Sequence, residues 1–282
     1  MFGQKGSKST KPLDVRNLDM VKKLKYYTKI WWMLTRNSFS VVLGQRVALS
    51  FFLLGKIIRF AFFIGFLYFL ILGTQSLAGY TSNQAIFFFL IFNVIDVLAQ
   101  FLFREVYRFR PKIVSGDFDL TLVKPANALF ISLMGGADAI DFITIPPLLF
   151  GVVYVAALLS PTFFQVILFL LLIINGLLIA AAFHIAVLAL GVIYLEVDHT
   201  IMIYRDITSF GRFPIDIYKQ PLAGILTYLI PVGVMVTFPA KALMGLISSS
   251  GIIISLLIGV FAIIIALRFW KYALRQYASA SS

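Results

Sequence analysis

The chain has 282 residues, of which 61% are hydrophobic, 16% aromatic and only 13% charged, with a mean hydropathy of +0.97; a soluble domain with a water-facing surface is not built this way, and the composition is that of a membrane protein. The absence of cysteine excludes a disulfide framework, a thiolate metal site and a cysteine nucleophile, and two histidines leave little for an imidazole-based metal centre. In such a chain a net charge of +12 reads as orientation and contact with anionic headgroups, not as nucleic-acid binding.

Residues 1–19 are expected to form a disordered cytoplasmic tail, since the first apolar run begins only near residue 49 and no signal peptide precedes it. The stretch GQKGSKST resembles a phosphate-binding loop superficially, but Ser7 stands before Lys8 where a glycine is needed and no strand comes before it, so no nucleotide is assigned. Residues 20–48 carry an amphipathic pattern: apolar or aromatic side chains recur at 20, 24, 27, 31 and 34, with Lys22, Lys25 and Lys29 about half a turn away. Trp31 and Trp32 suit the headgroup zone, which predicts a helix lying on the cytoplasmic membrane surface. Such a helix either anchors the N-terminus or also touches a cytoplasmic partner.

A spanning helix needs about 20 largely apolar residues. Six segments of residues 49–282 meet that test: Leu49–Gly73, Asn83–Phe103, Asp138–Leu159, Phe163–Leu195, Pro221–Ala240 and Gly251–Trp270. The fourth is too long for one perpendicular crossing and is expected to tilt, break near Gly176 or run on into the cytoplasm. Lys and Arg number ten before the first span, five between the second and third, three between the fourth and fifth, and three at the end of the sixth, against Lys241 alone in the other loops. The bias places both termini in the cytoplasm. Lys56 and Arg59 fall near the cytoplasmic end of span one, where long stems reach the interface.

Span two carries polar groups at helical spacing. Asn93, Asp96, Gln100 and Arg104 fall within a narrow sector of the helix, a stripe that cannot face lipid cheaply. It either locks the bundle by interhelical hydrogen bonds or lines a solvated path or subunit interface. The loop that follows contains Ser115-Gly116, after which Ser115 or Asp117 can cap a short helix through Leu120 to Val123. Phe118, Leu120 and Leu122 are apolar residues in a cytoplasmic segment, covered by the bilayer, by the bundle or by another subunit. His184 reads as a satisfied bundle histidine, and Ala240–Gly251 is too apolar for a free loop and too short for two crossings, as a re-entrant element on the outer face would be.

Three stretches, SGDFDLTLVKPANAL (residues 115–129), FGRFPIDIYKQPLAGILTYLIPVGVMVTFPAKALMG (210–245) and FWKYALRQYASAS (269–281), resemble the permease subunits of ABC-2-type transporters. The resemblance implies an all-α polytopic exporter half of type V form. It has an interfacial N-terminal helix, six spans, a coupling helix between spans two and three, and a re-entrant extracellular element before span six. By the same resemblance a second permease chain, identical or related, completes the path in the bacterial cytoplasmic membrane. Separate ABC ATPase subunits carry ATP and Mg, while this chain binds no cofactor, lacks a Walker motif and is not an enzyme. The coupling helix then falls at residues 115–123, with Ser115, Asp117, Phe118, Asp119 and Leu120 as ATPase contacts. Asn93, Asp96 and Gln100 are assigned to the path or the subunit interface, and a hydrophobic or amphipathic cargo suits the apolar spans. The competing reading is a stand-alone channel or ion-coupled carrier that uses Asp96, though no inverted repeat supports it.

Overall fold

The computed structural model describes residues 19–74, 77–195 and 197–277; of the tail expected at residues 1–19, all but Asp19 lies outside the described residues. Among the described residues the chain is helical throughout, with one isolated bridge between Leu77 and Tyr80. Five helices are long and apolar enough to cross a membrane, and a bent pair passes the same test as one unit.

Helix α1 (Met20–Gly44) starts on Asp19, whose carboxylate accepts the Lys22 backbone N–H at 2.8 Å. It ends at Gly44, four residues short of the predicted 20–48, and its inner face docks on the protein. The Tyr27 hydroxyl accepts the Asn127 N–H at 3.1 Å, the Thr35 hydroxyl accepts the Ala137 N–H at 3.3 Å, and Trp31 packs edge-on to Phe101. Trp31 therefore faces the bundle, whereas Trp32, Lys22, Lys25 and Lys29 are exposed. After a break at Gln45, α2 (Arg46–Thr74) carries exposed phenylalanines along its outer side.

Helix α3 (Ser82–Phe103) opens with a capping box between Thr81 and Gln84 and is the most enclosed of the long helices. It tightens into a 3₁₀ segment, Arg104–Arg108, before the short helix α4 (Phe109–Val114). Gly116, at φ +79°, takes the left-handed turn that glycine adopts without steric cost and starts α5 (Asp117–Val123). Asn127 caps α6 (Ala128–Met134), and Asp138 caps α7 (Ala139–Leu158) by accepting the Ile140 and Asp141 N–H groups. Pro146 and Pro147 both lie inside α7.

Helix α8 (Phe163–Tyr194) starts on a second capping box, Thr162 with Gln165, and ends where Leu195 turns left-handed at φ +60°. Its 32 residues extend about 48 Å, well beyond the ~30 Å hydrocarbon layer. It does not break at Gly176. That glycine instead admits the Met235 backbone, which a Cβ would meet at 2.5 Å. The partner of α8 is α12 (Ser249–Gln276), held by Asn175, whose amide donates to the Ser255 carbonyl at 2.9 Å and hydroxyl at 3.1 Å. Gly259 lets that asparagine in.

Between α8 and α12 the chain departs from the predicted pattern. Residues 196–220, expected as a cytoplasmic loop, contain α9 (Val197–Ser209) and retrace α3 from its C-terminal to its N-terminal end. Asp198 pairs with Arg110 at 3.3 Å, Tyr204 lies edge-on to His184 beside Phe103, the Arg212 guanidinium sits over the Phe92 ring, and Asp216 accepts the Tyr80 hydroxyl at 3.0 Å. Pro221–Ala240, predicted as a single span, is two helices, α10 (Leu222–Leu229) and α11 (Gly233–Leu243), bent by 75°. Pro231, which has no N–H to donate, stands in the break, and π-helical turns at Ile225–Leu229 and Gly233–Thr237 flank it. Lys241 returns to Asp216 at 2.7 Å, so the bent pair begins and ends on the same side of the bundle. The sharp bend lies at residues 230–232, and residues 244–248, within the stretch expected to be re-entrant, link α11 to α12.

Candidate functional site

Two features stand out, a cleft between α2, α3, α7 and α9 that is open to the side of the bundle and an exposed short helix at one end of it. The cleft has two lobes that share Arg59, Asn93, Asp96 and Arg205. The smaller lobe, of about 50 Å³, is closed by Arg212, Thr208 and Ser209. The larger, of about 450 Å³, is walled by apolar side chains of α2, α3 and α7, among them Ile57, Phe60, Ile64, Leu90, Val97 and Leu148.

The polar stripe of α3 is thus a cavity wall. Asn93, Asp96 and Gln100 all line it, while Arg104 leaves the stripe to pair with Asp138 at 3.0 Å. The Asn93 amide donates to the Phe89 carbonyl of its own helix at 2.8 Å, so it does not tie helices together. The interhelical amide lock is Asn175 in α8. Sequence reasoning passed over it, although a mid-span asparagine beside a glycine is the signal for such a lock. Asp96 has Gln100 and the charges of Arg205 and Arg59 as its polar surroundings. Lys56 pairs with Asp141 at the foot of the larger lobe, and so does not snorkel away from the bundle.

The cations that end α3 are each matched. Glu105 is buried and pairs with Lys112 and, at 3.7 Å, with Arg108; Arg104 meets Asp138 and Arg110 meets Asp198. This cluster fixes the base from which α5 projects. The Ser115 hydroxyl donates to Asp117 at 2.8 Å and accepts the Asp117 N–H, closing the turn before α5, and Asp117 and Asp119 occupy the first helical turn, where the dipole favours acids. Phe118 is 1% exposed, edge-on to Phe109 at 5.0 Å, Trp270 at 6.3 Å and Tyr277 at 5.1 Å. It anchors α5 to the chain's own helices and is unavailable as a surface contact. Burial and the neighbouring Asp119 carboxylate push the Tyr277 phenol up to about 12. On the outer side Leu120 is 59% and Val123 81% exposed, with Val114 and Leu122 alongside.

His184 is fully buried. Its Nδ1 lies 2.8 Å from the Ala180 carbonyl, which only accepts, so Nδ1 carries the proton. Phe103, Tyr107 and Tyr204 surround the ring, and the buried Nε2 has no hydrogen-bond partner among the described residues, so the histidine is packed but only half satisfied.

A family model described as "ABC-2 family transporter protein" matches residues 57–281. No curated protein and no solved structure matches the chain.

Proposed function

The chain belongs to the ABC-2 family of transporter proteins, and from that premise we propose that it is the permease half of an ATP-driven exporter. It is an integral membrane component of transport and not itself catalytic. In this reading a second permease chain, identical or related, completes the path. Separate ABC ATPase subunits bind ATP and Mg and drive the cycle, both termini face the cytoplasm of a bacterial cell, and the cargo is amphipathic.

The observation that carries the reading is the construction of α5. A seven-residue helix exposes Leu120 and Val123 outward, and through one buried ring it is fastened both to the extension of α3 and to the end of α12. A push on its outer face is delivered through Phe118 to Phe109 and Trp270, which belong to two different long elements. That linkage suits a rigid-body switch driven by nucleotide-dependent closure of docked subunits. The contact surface is assigned to Ser115, Asp117, Asp119 and Leu120 together with Val123.

The contacts of residues 197–216 along α3 support a fifth crossing made by this segment, with α10 and α11 as a re-entrant hairpin on the outer side. The count of crossings stays at six, and the termini remain on one side.

Replacing Asp119 by Arg together with Leu120 by Glu is expected to leave the chain inserted while removing cargo-stimulated ATP hydrolysis by the reconstituted complex. Normal transport and normal stimulation in that double variant would refute the coupling assignment. Asp96 as the cation site of an ion-coupled carrier is disfavoured by the Arg205 and Arg59 charges beside it. Transport that continued without ATP and stopped on collapse of the proton gradient would restore that reading.

A further inference from the structure

The bilobed cleft combines properties that seldom occur together in a helical bundle. Arg59 from α2, Arg205 from α9 and Arg212 just beyond α9 line a chamber of about 50 Å³ whose one carboxylate is Asp96. Among the described residues none of the three guanidinium groups forms an ion pair within 4 Å. Arg59 and Arg205 act on Asp96 only at longer range, and Arg212 rests over the Phe92 ring at 5.7 Å. Around the end of α3, by contrast, Lys56, Arg104, Arg108, Arg110 and Lys112 all have acidic partners. The three guanidinium groups leave positive charge without a contact partner where the two lobes meet.

Arg59 and Arg205 are exposed at the cleft and Arg212 is half-buried, with Asp96 as the one carboxylate for all three; guanidinium groups so under-compensated are costly next to a bilayer, and the cost is relieved when an acidic group enters. Arginine presents a planar fork of donors that matches the oxygens of a phosphate or carboxylate. Directly beside this chamber, across the shared Arg59 and Arg205, is the apolar lobe of about 450 Å³, a size that takes a hydrocarbon chain. Ala61 borders both that lobe and an open groove on the outer face of α2, lined by Phe62, Gly65, Phe66 and Phe69. The lobe thus lies close to lipid-facing apolar surface of α2 on one side and to the arginines on the other.

We infer that this cavity binds an anionic amphiphile, with its acidic head held by Arg59, Arg205 and Arg212 and its hydrocarbon tail in the lobe between α2, α3 and α7. The inference rests on the permease reading and specifies its substrate class. Asp96 then works against binding: as the one acid in the chamber it repels the headgroup and holds Arg59 and Arg205 in place while the site is empty.

The test uses the full chain alone in neutral detergent, with native mass spectrometry counting bound lipid when phosphatidic acid, phosphatidylcholine and diacylglycerol compete at equal concentration. Phosphatidic acid is expected to bind about tenfold or more tightly than the other two, the strength of a charge-assisted hydrogen bond. Arg59→Gln with Arg205→Gln should abolish that preference, and Arg205→Lys should keep part of it. Asp96→Asn should strengthen it, a gain that a merely misfolded variant would not show. Exchanging Lys22, Lys25 and Lys29 for Gln removes surface cations and should leave the arginine-dependent preference in place. Three results overturn the inference: equal binding of the three lipids by the natural chain, a preference that survives the double arginine variant, or displacement of phosphatidic acid by an equal concentration of inorganic phosphate, which marks a simple anion site. No ATPase is present in this assay, so its failure leaves the coupling role of α5 standing, and failure of the α5 variant leaves this binding result untouched.

Discussion

Phe118 and Leu120 are two residues apart and perform opposite tasks, because two residues on a helix turn a side chain through about 200°. The alternation of apolar residues at 118, 120 and 122 was legible in the sequence as something that needed cover. Which of them is covered by the chain itself was not, because the answer depends on Trp270 and Tyr277, some 150 residues away. Phe118→Ala removes a ring that fills the space between three aromatic neighbours and should cost about 3 kcal/mol or more of stability. Leu120→Ala removes an exposed side chain and should leave the unfolding temperature in detergent unchanged while weakening association with the ATPase. A Phe118→Ala protein as heat-stable as the natural one would contradict the anchoring role. Legibility at this scale follows the same rule elsewhere. Asn93, Asp96 and Gln100 were visible because one helix brings them together, whereas Arg59, Arg205 and Arg212 come from separate segments and meet only in the fold.

The pairing of α8 with α12 shows what an element-level reading of the sequence omits. Both helices are apolar on every side, so hydropathy marks them as spans without indicating which faces touch. In an apolar medium, association depends on close approach and on polar groups that find partners across the interface. Gly259 provides the approach and Asn175 the polar link, donating to Ser255 one turn earlier on α12. A Cβ at residue 259 would lie 1.9 Å from the Asn175 side-chain oxygen, so Gly259→Ala must displace the asparagine and open the lock. Overpacking of this kind costs about 1–3 kcal/mol. The unfolding temperature should fall in Gly259→Ala and recover in part when Asn175→Ala is added, since the shortened side chain makes room for the new methyl. Strictly additive losses in the double variant would show that the two residues do not meet.

For the molecule as a whole, hydropathy located α2, α3, α7, α8 and α12 because each presents apolar surface to lipid or to apolar neighbours along its full length. For the remaining crossing it marks residues 221–240, which form a pair of helices bent by 75°, and not the 197–216 segment proposed as the fifth crossing. A hydropathy window reports how apolar a segment's surroundings are, not whether the segment passes through the bilayer. Residues 231–243 are apolar and enclosed by α3, α8 and the stretch around Gly211, whereas Leu222, Ile225, Tyr228 and Leu229 are apolar and exposed; residues 197–216 carry Arg205 and Arg212 where part of their surface borders a polar cavity. Irregular, polar backbone at membrane depth is tolerated where it is buried in protein or lines such a cavity. The two arrangements differ in an observable way at Lys219, an exposed residue three positions beyond Asp216. If residues 196–220 formed a cytoplasmic loop, Lys219 would face the inside of the cell; with 197–216 as the fifth crossing it faces outward, just beyond the Asp216 that Tyr80 and Lys241 contact. The natural chain contains no cysteine, so a single Lys219→Cys substitution gives an unambiguous label site. A membrane-impermeant maleimide should modify it in intact spheroplasts, while Lys124→Cys, in the segment between α5 and α6, should react only after the membrane is opened. Protection of residue 219 until permeabilisation would return the crossing to residues 221–240, and with it would go the placement of Arg205 and Arg212 inside the bilayer.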